Sequence, residues 1–436
     1  MIDLISAEFV PIEEILKGKI KGKIKIRGWL HHRRRLGKIL FLLIRDGTGI
    51  IQCTLTKDKE FFEELDKLPV ESTLEIEGEV RKDKRAPGGY EIKVEKAKVI
   101  TKAEMDYPIA KKYHGPDFLL THRHLWIRSE KMQKILIFRS EVFRVAREWL
   151  ESHGYKEFHA PIFTASACEG GATLFPVKYF GDTVYLTQSW QLYAEAAIAS
   201  LGKIYTIAPS FRAEKSRTRR HLTEYWHLEV EQPFCDLECI IKVIEELISY
   251  MCQELAKRKA DILEYFGRDP KYFLKIKPPF KRITYTEAVK ILQKDGIKIE
   301  WGEDLTWTHE KALTLKFEYP FFVTHYPKKA KAFYHKPDPK DPRVTLSVDL
   351  LAPEGYGEII GGGERISDYQ ELLKRIKEEG LKPEDYKWYL ELRKWGTVQH
   401  AGFGLGIERF IAWMLKLEHI RDAIAFPRLV RRKVYP

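Results

Sequence analysis

The chain has 436 residues, 44% of them hydrophobic, with a formal net charge of +12. That length exceeds one ordinary domain, the apolar fraction suits a folded protein with a sizeable core, and the basic balance favours a polyanionic partner. The five cysteines (Cys53, Cys168, Cys235, Cys239 and Cys252) are scattered and odd in number, so no disulfide framework is implied. Cys235 and Cys239 lie near each other, but no second pair completes a zinc site, so both are read as small core residues. The start MIDLISAEFV lacks the apolar region of a signal peptide, and no apolar run approaches membrane-spanning length. A cytoplasmic enzyme with no membrane contact is the expectation. Asparagine is absent altogether and glutamine occurs nine times, a bias against heat-labile amides.

Residues 1–102 predict a small β domain. β-prone runs at Lys23–Leu30, Ile39–Arg45, Gly49–Leu55, Ser72–Arg81 and Tyr90–Ile100 are separated by turn signals at Gly37, Asp46-Gly47 and Pro87-Gly88-Gly89. With a helical stretch near Glu60–Leu68, they fit an OB-type barrel, which binds oligonucleotides on an open strand face. His31 to Lys38 supplies cations and Phe41 an aromatic platform beside them, the pairing expected for single-stranded nucleic acid. A solvated charged loop next to a core Phe is the plainer alternative.

Residues 103–127 lack periodicity and read as a hinge. From Ser129 a helix is predicted: Met132, Ile135, Phe138, Val142, Val145, Trp149 and Leu150 recur at helical spacing until Gly154. At 168–179 the run CEGGATLFPVKY places the Glu169 carboxylate before two glycines. Thr187 to Glu195 opens a further helix, with Gln191 and Glu195 one turn apart on one face.

The central stretch, residues 203–231, reads as two strands joined by a basic loop. Trp226, Leu228 and Val230 alternate with His227, Glu229 and Glu231, so one set faces a core and the other faces outward with Arg212 and Glu214. Between the strands lie Lys215, Arg217, Arg219, Arg220 and His221. Guanidinium groups match phosphate oxygens in bidentate geometry, so this arrangement suits a ligand bearing several phosphates. Residues 233–345 show charged helices at Leu237–Arg258 and Tyr285–Gly296 but little chemistry. Near the C-terminus, Asp349 and Glu358 sit on strand edges around a glycine-rich turn that leads to Arg365. Gly402-Phe403-Gly404-Leu405-Gly406-Ile407-Glu408-Arg409 then runs from strand into helix. It lacks the spacing of a dinucleotide fingerprint and the lysine of a P-loop.

In this order the pieces resemble the class II aminoacyl-tRNA synthetases of the aspartyl/asparaginyl/lysyl group. The helix ending at Pro161 resembles motif 1, FRAE with TRRHLTEYW motif 2, GFGLGIERF motif 3, and RGWLHHRRRLGKILFLLIRDGTGIIQ the anticodon-binding barrel. The resemblance implies an α+β architecture: an OB-fold domain at 1–102, the hinge at 103–127, and a catalytic domain at 128–436 with an antiparallel sheet flanked by helices. It implies a homodimer, ATP as substrate, Mg²⁺ and tRNA. Arg212 would hold the ATP α-phosphate, Glu214 the adenine side or the tRNA terminus, and Arg220 and His221 the outer phosphates. Tyr225 and Arg409 would sandwich adenine, making Arg212, Glu214 and Arg409 the catalytic set. Asp349 and Glu358 would hold Mg²⁺. Glu169 and Gln191 would fix the substrate α-amino group, and Arg34, Phe41 and Gln52 would grip the middle anticodon uridine.

For the amino acid, aspartyl members carry a lysine where this chain has Ala194, followed by Glu195 as in asparaginyl members. Arg365 can donate to a carbonyl oxygen, whereas a carboxylate at Glu195 would accept from an amide NH₂ and repel an aspartate side chain. The reading is therefore L-asparagine and tRNA(Asn). An aspartyl enzyme, a paralogue that binds tRNA without charging it, and an asparagine synthetase on the same fold are the alternatives. Three positions depart from the family's usual pattern: Trp190, Gln399, and the Gly363-Glu364 pair before Arg365. The missing asparagines fit an enzyme that can be made when charged tRNA(Asn) is scarce, and fit heat-driven amide loss equally.

Overall fold

The computed structural model describes residues 9–109, 112–165, 167–168, 173–215, 218–430 and 432–436. The chain divides into two compact units, Met1–Gln133 and Lys134–Pro436.

In the first unit, β1 (Gly22–Leu36), β2 (Ile39–Arg45), β3 (Ile50–Thr56), β4 (Thr73–Lys82) and β5 (Tyr90–Thr101) close a barrel in the order β1-β2-β3-β5-β4. Period-two alternation sends Ile24, Ile26, Leu30, Leu40, Leu42, Ile44, Ile51 and Cys53 inward, where Phe62 and Leu65 of helix Phe62–Lys67 complete the core. β1 extends past the expected end at Leu30: after a bulge between Leu30 and His32 it continues to Leu36, opposite Ile39. The cations at 33–35 therefore lie on a strand and not in a loop. Backbone pairing to β2 satisfies this polar segment without requiring apolar side chains. The segment 103–127, expected as a hinge, carries helices Pro116–Thr121 and Arg123–Trp126 and groups with the barrel. Just beyond it, Arg128 reaches buried Glu71 at 3.1 Å, which Arg45 also grips with two bonds of 2.8 and 2.7 Å.

The second unit is built on an eight-stranded sheet and a small three-stranded one. Its strands are β6 (Lys156–Glu157), β7 (Phe163–Thr164), β8 (Pro176–Tyr179), β9 (Asp182–Leu186), β10 (Ile204–Phe211), β11 (Glu224–Pro233), β12 (Lys281–Thr284), β13 (Phe321–Thr324), β14 (Ser347–Ala352), β15 (Gly357–Glu364) and β16 (His400–Gly406). The large sheet runs β12-β13-β14-β15-β16-β11-β10-β6, antiparallel except for the pairs at its two ends, and the small one runs β7-β9-β8. Helix Leu237–Arg258 buries Ile240, Ile244, Leu247 and Met251 against the sheet, leaving the opposite face to form a cavity. The predicted stripe Met132, Ile135, Phe138, Val142 and Val145 is fully buried along helix Glu130–Ser152.

One expectation is corrected here. Cys235 and Cys239 form a disulfide where β11 turns into helix Leu237–Arg258. The turn brings the two Cα atoms to 5.3 Å, within bridging range, which sequence spacing alone did not reveal. Among the described residues, no helix is long and apolar enough to cross a membrane.

Candidate active site and nucleic-acid groove

β11 and β16 form the floor of the site. Glu231 lies opposite Gly402, and Glu229 opposite Gly404. A side chain at 402 has no room: its Cβ would come within 2.0 Å of Glu231 Oε2. Gly404 is open, with nothing nearer than Glu229 Cγ at 3.6 Å, and it lets a ligand approach the backbone.

A cavity of about 560 Å³ covers this floor, lined in part by Gln191, Arg212, Glu231, Lys331, Glu358 and Arg365. A smaller one of about 70 Å³ shares Arg212, His227, Glu358 and Gly404 with it and adds Arg220, His221, Tyr225 and Arg409. Six of the residues expected at a nucleotide (Arg212, Arg220, His221, Tyr225, Glu358 and Arg409) thus line one cavity. The Arg212 guanidinium lies 5.6 Å over the Tyr225 ring, and Tyr225 meets His227 edge to face. Arg409 Nη1 donates to Glu358 Oε2 at 2.9 Å. Burial alone would raise the Glu358 carboxyl, but Arg409, Lys331 and Arg220 hold it down to about 2. His227 is held down to about 3 by burial, with Arg212 and Arg409 adding to it, and is neutral near pH 7. Glu214 lines neither cavity: it is half-exposed, with its carboxylate 3.7 Å from His221 Nε2.

Asp349 and Glu358 converge over Gly361. A point at the Cβ position there is 3.0 Å from Glu358 Oε1 and 3.4 Å from Asp349 Oδ1. Two carboxylates flanking a residue without a side chain fit a divalent cation. Lys331 Nζ also reaches both Asp349 oxygens, at 2.7 Å each. Burial, with Glu358 adding, pushes Asp349 up to about 7 against the pull of Lys331.

The amino-acid end differs from expectation. Glu195 does not line the cavity but lies beneath it, fully enclosed. Its carboxylate accepts from Gln191 Nε2 at 2.9 Å, Tyr389 Oη at 2.7 Å and Arg393 Nη2 at 2.5 Å, and meets His400 Nε2 at 2.9 Å. Burial would raise it, yet Arg393 and His400 hold it well below the usual carboxylate range. Glu231 does line the cavity, gripped by Arg365 through Nε and Nη2 at 3.1 Å each. Burial pushes Glu231 up while Arg365 opposes. Gln191 sits at the start of helix Gln191–Leu201, where Glu229 accepts from Ser189 Oγ and from Trp190 N–H at 3.0 Å. Glu169 lies outside the described residues.

The unusual positions are absorbed by packing. Trp190 donates to the Phe158 carbonyl at 2.9 Å and packs on Ala194, Ile198 and Ile204. Gln399 and Glu364 bond to each other at 2.8 Å. Sequence reading passed over Glu231, Lys331, Tyr389 and Arg393. The signal for Glu231 was the outward phase it shares with Glu229 on β11, whereas Lys331 and Arg393 stood in stretches without periodicity.

In the barrel, Arg34 pairs across the strands with Phe41, and its guanidinium lies 5.6 Å over that ring. Gln52 lies on the next strand, donating to Glu91 at 2.9 Å. All three line one groove of about 850 Å³, with Arg81, Arg85 and Lys93 supplying further cations and His32 beside them.

The barrel thus carries a basic groove with an aromatic ring, and the sheet a cavity that gathers arginines and carboxylates. Residues 115–430 match the family "tRNA synthetases class II (D, K and N)", and residues 24–100 match "OB-fold nucleic acid binding domain". The chain belongs to the class II aminoacyl-tRNA synthetases, in the group for aspartate, lysine and asparagine. It is 52% identical over 427 residues to an asparagine--tRNA ligase of Pyrococcus abyssi, covering 97% of this chain and 98% of that one. A second, from Thermococcus kodakarensis, is 51% identical over the whole of both chains. The crystal structure of asparaginyl-tRNA synthetase from Pyrococcus horikoshii complexed with asparaginyl-adenylate superimposes with a TM-score of 0.93 at 50% identity, covering 99% and 100% of the two chains. An aspartyl tRNA synthetase from Entamoeba histolytica is more distant, with a TM-score of 0.82 at 28% identity, covering 98% of this chain and 92% of that one.

Proposed function

We propose that this chain activates L-asparagine with ATP and transfers it to tRNA(Asn). The observation that carries the choice of amino acid is the Glu231–Arg365 pair in the cavity wall. It offers one acceptor and one donor side by side, matching the NH₂ and C=O of a carboxamide. An aspartate side chain would set its charge against Glu231. Lysine would bring its cation toward Arg365. The role first given to Glu195 thus passes to Glu231, with Glu195 supporting the pocket from below.

Arg212 holds the α-phosphate while the asparagine carboxylate attacks its phosphorus, and pyrophosphate leaves. Tyr225 and Arg409 enclose adenine, Arg220 and His221 face the outer phosphates, and Gln191, with Glu169, orients the α-amino group. Glu214 guards the rim through which the tRNA terminus enters to accept the aminoacyl group on its ribose hydroxyl. Alignment and charge stabilisation, not covalent catalysis, supply the rate. Asp349 and Glu358 would hold Mg²⁺, which neutralises phosphate charge when bound. Asp349, paired here with the Lys331 ammonium, would be one of the two carboxylates that hold the ion. In the barrel, Arg34, Phe41 and Gln52 grip the middle anticodon base by charge, stacking and hydrogen bonding.

The functional unit is a homodimer working in the cytoplasm. The motif 1 stripe is already buried within its own chain, so the surface favoured for pairing is the three-stranded sheet. There Ile162, Phe163, Tyr179 and Phe180 are exposed side chains, with Phe180 89% exposed.

The test is ATP–pyrophosphate exchange on the purified protein with asparagine and aspartate in parallel. Exchange with asparagine alone supports the reading, and exchange with aspartate alone overturns the part assigned to Glu231.

A further inference from the structure

Glu310 belongs to helix Trp307–Thr314, in the stretch that showed no chemistry in the sequence. Its buried carboxylate accepts from Arg220 Nη1 and, at 2.8 Å, from the backbone N–H of Glu358. Arg220 Nη2 then donates to the Glu358 carbonyl at 2.7 Å. Arg409 Nη1 donates to the same carbonyl at 3.3 Å and to the Glu358 carboxylate at 2.9 Å. Both backbone polar groups of Glu358 are therefore held by side chains from outside the sheet. Gly357 makes the arrangement possible. Its φ is +73°, and a Cβ there would lie 2.3 Å from Glu310 Oε2 and 2.6 Å from Arg220 Nη1.

The helix has its own reasons to form, with a capping box at Thr306 and Leu313 buried in the core. A buried ion pair adds little net stability relative to an apolar pair of the same volume, so stability is a poor reason for this one. What the pair does is join three separate parts of the chain: the loop that carries Arg220, the first residues of β15, and helix Trp307–Thr314.

We propose that Glu310 is a positioning residue for ATP. It anchors Arg220 against the start of β15, so that the Arg220 guanidinium and the Glu358 carboxylate keep a fixed spacing when the triphosphate enters. The proposal rests on the reading that these two groups face the ATP phosphates. Without Glu310, Arg220 keeps its bond to the backbone carbonyl of Glu358 but loses its carboxylate partner, and the loop must order itself when ATP binds.

The test uses full-length wild type, Glu310→Gln, Gly357→Ala and the double variant. Each is assayed for asparagine-dependent pyrophosphate exchange, for ATP affinity without asparagine by calorimetry, and for its thermal midpoint. Wild-type exchange with asparagine checks the functional reading separately, before any variant is compared. For each single variant the expectation is an ATP KM and Kd raised about tenfold, with the asparagine KM within about twofold of wild type. The double variant should be no worse than the weaker single one, because both changes remove the same anchor. Unchanged ATP affinity in both single variants overturns the proposal. So does an equal loss for ATP and asparagine accompanied by a lower thermal midpoint, which marks general damage. If Glu310→Gln does not fold, Gly357→Ala decides by the same readouts.

Discussion

In the barrel groove, Arg34, Phe41 and Gln52 come from three successive strands, and their side chains are open to a ligand with few internal partners. In the catalytic cavity, Arg212 and Glu231 come from the β10–β11 hairpin, Glu358 and Arg365 from β15 and the residue after it, and Lys331 from a separate segment, and most are ion-paired within the protein. The groove resembles a surface waiting for charge and a flat ring. The cavity is a set of opposed charges already held in place at low dielectric, where fixed dipoles and ions act most strongly. A substitution in the groove should therefore affect only the nucleic acid, whereas one in the cavity should affect chemistry, stability or both.

The largest expected effect comes from Arg212→Ala, which removes a charge aimed at the reacting phosphate. Asparagine-dependent exchange should fall about 10³-fold, with little change in the thermal midpoint. A smaller fall would mean that Arg409 carries the α-phosphate instead. Glu231→Ala comes next, because it leaves the Arg365 guanidinium buried without its counter-charge. Denaturant unfolding should show a loss of about 3–5 kcal/mol. A stable variant that merely loses asparagine specificity would show that the cavity is wetter than the fold suggests.

Phe41→Ala sharpens the contrast from the other side. Loss of one stacked base costs about 1–3 kcal/mol, so charging should need about tenfold or more additional tRNA. Exchange without tRNA should stay at the wild-type rate, and any fall there would erase the distinction between the two regions.

The smallest effect is in acid. His227 is held down to about 3 in the folded chain by burial, with Arg212 and Arg409 adding to it, while its ordinary value is 6.5. Between those values the unfolded chain binds a proton that the folded chain does not, so stability rises with pH through that window. The contribution of His227 is present above 6.5 and lost as pH falls toward 3. Half-buried His419, held down to about 4 by desolvation with Arg421 and Arg219 adding to it, acts in the same direction. Thermal midpoints measured against pH should fall below the ordinary histidine range, and His227→Gln should flatten part of that slope.

Much of this was legible in the sequence because it depends on short-range patterns. The barrel strands, the hairpin of β10 and β11, helix Glu130–Ser152 and the turn from β16 into helix Ile407–Met414 all follow from alternation, helical spacing and glycine placement. The nucleotide residues followed from guanidinium chemistry and motif order. What escaped was depth. Glu195 and Glu231 are both carboxylates on predicted faces, but only tertiary packing decides that Arg393, His400 and Tyr389 enclose the first while Arg365 presents the second. Lys331 and Glu310 escaped for a related reason: their segments carry no periodicity, and their partners lie on other strands. The extension of β1 through His32 and Arg34 was missed because hydrogen-bonded pairing to β2 leaves no hydrophobic signature.

Gly402 bears on how such a chain can change over generations. The nearest atom to any side chain placed there is the carboxylate of Glu231 itself. The backbone carbonyl of Val230 lies only 2.3 Å from the same point, so drift at 402 is closed whatever residue stands at 231. A change at Glu231 therefore opens no space at 402, and a lineage leaving this specificity must find its room elsewhere in the cavity wall. A hydrogen atom in place of a methyl group is therefore held fixed through descent by the backbone of the neighbouring strand.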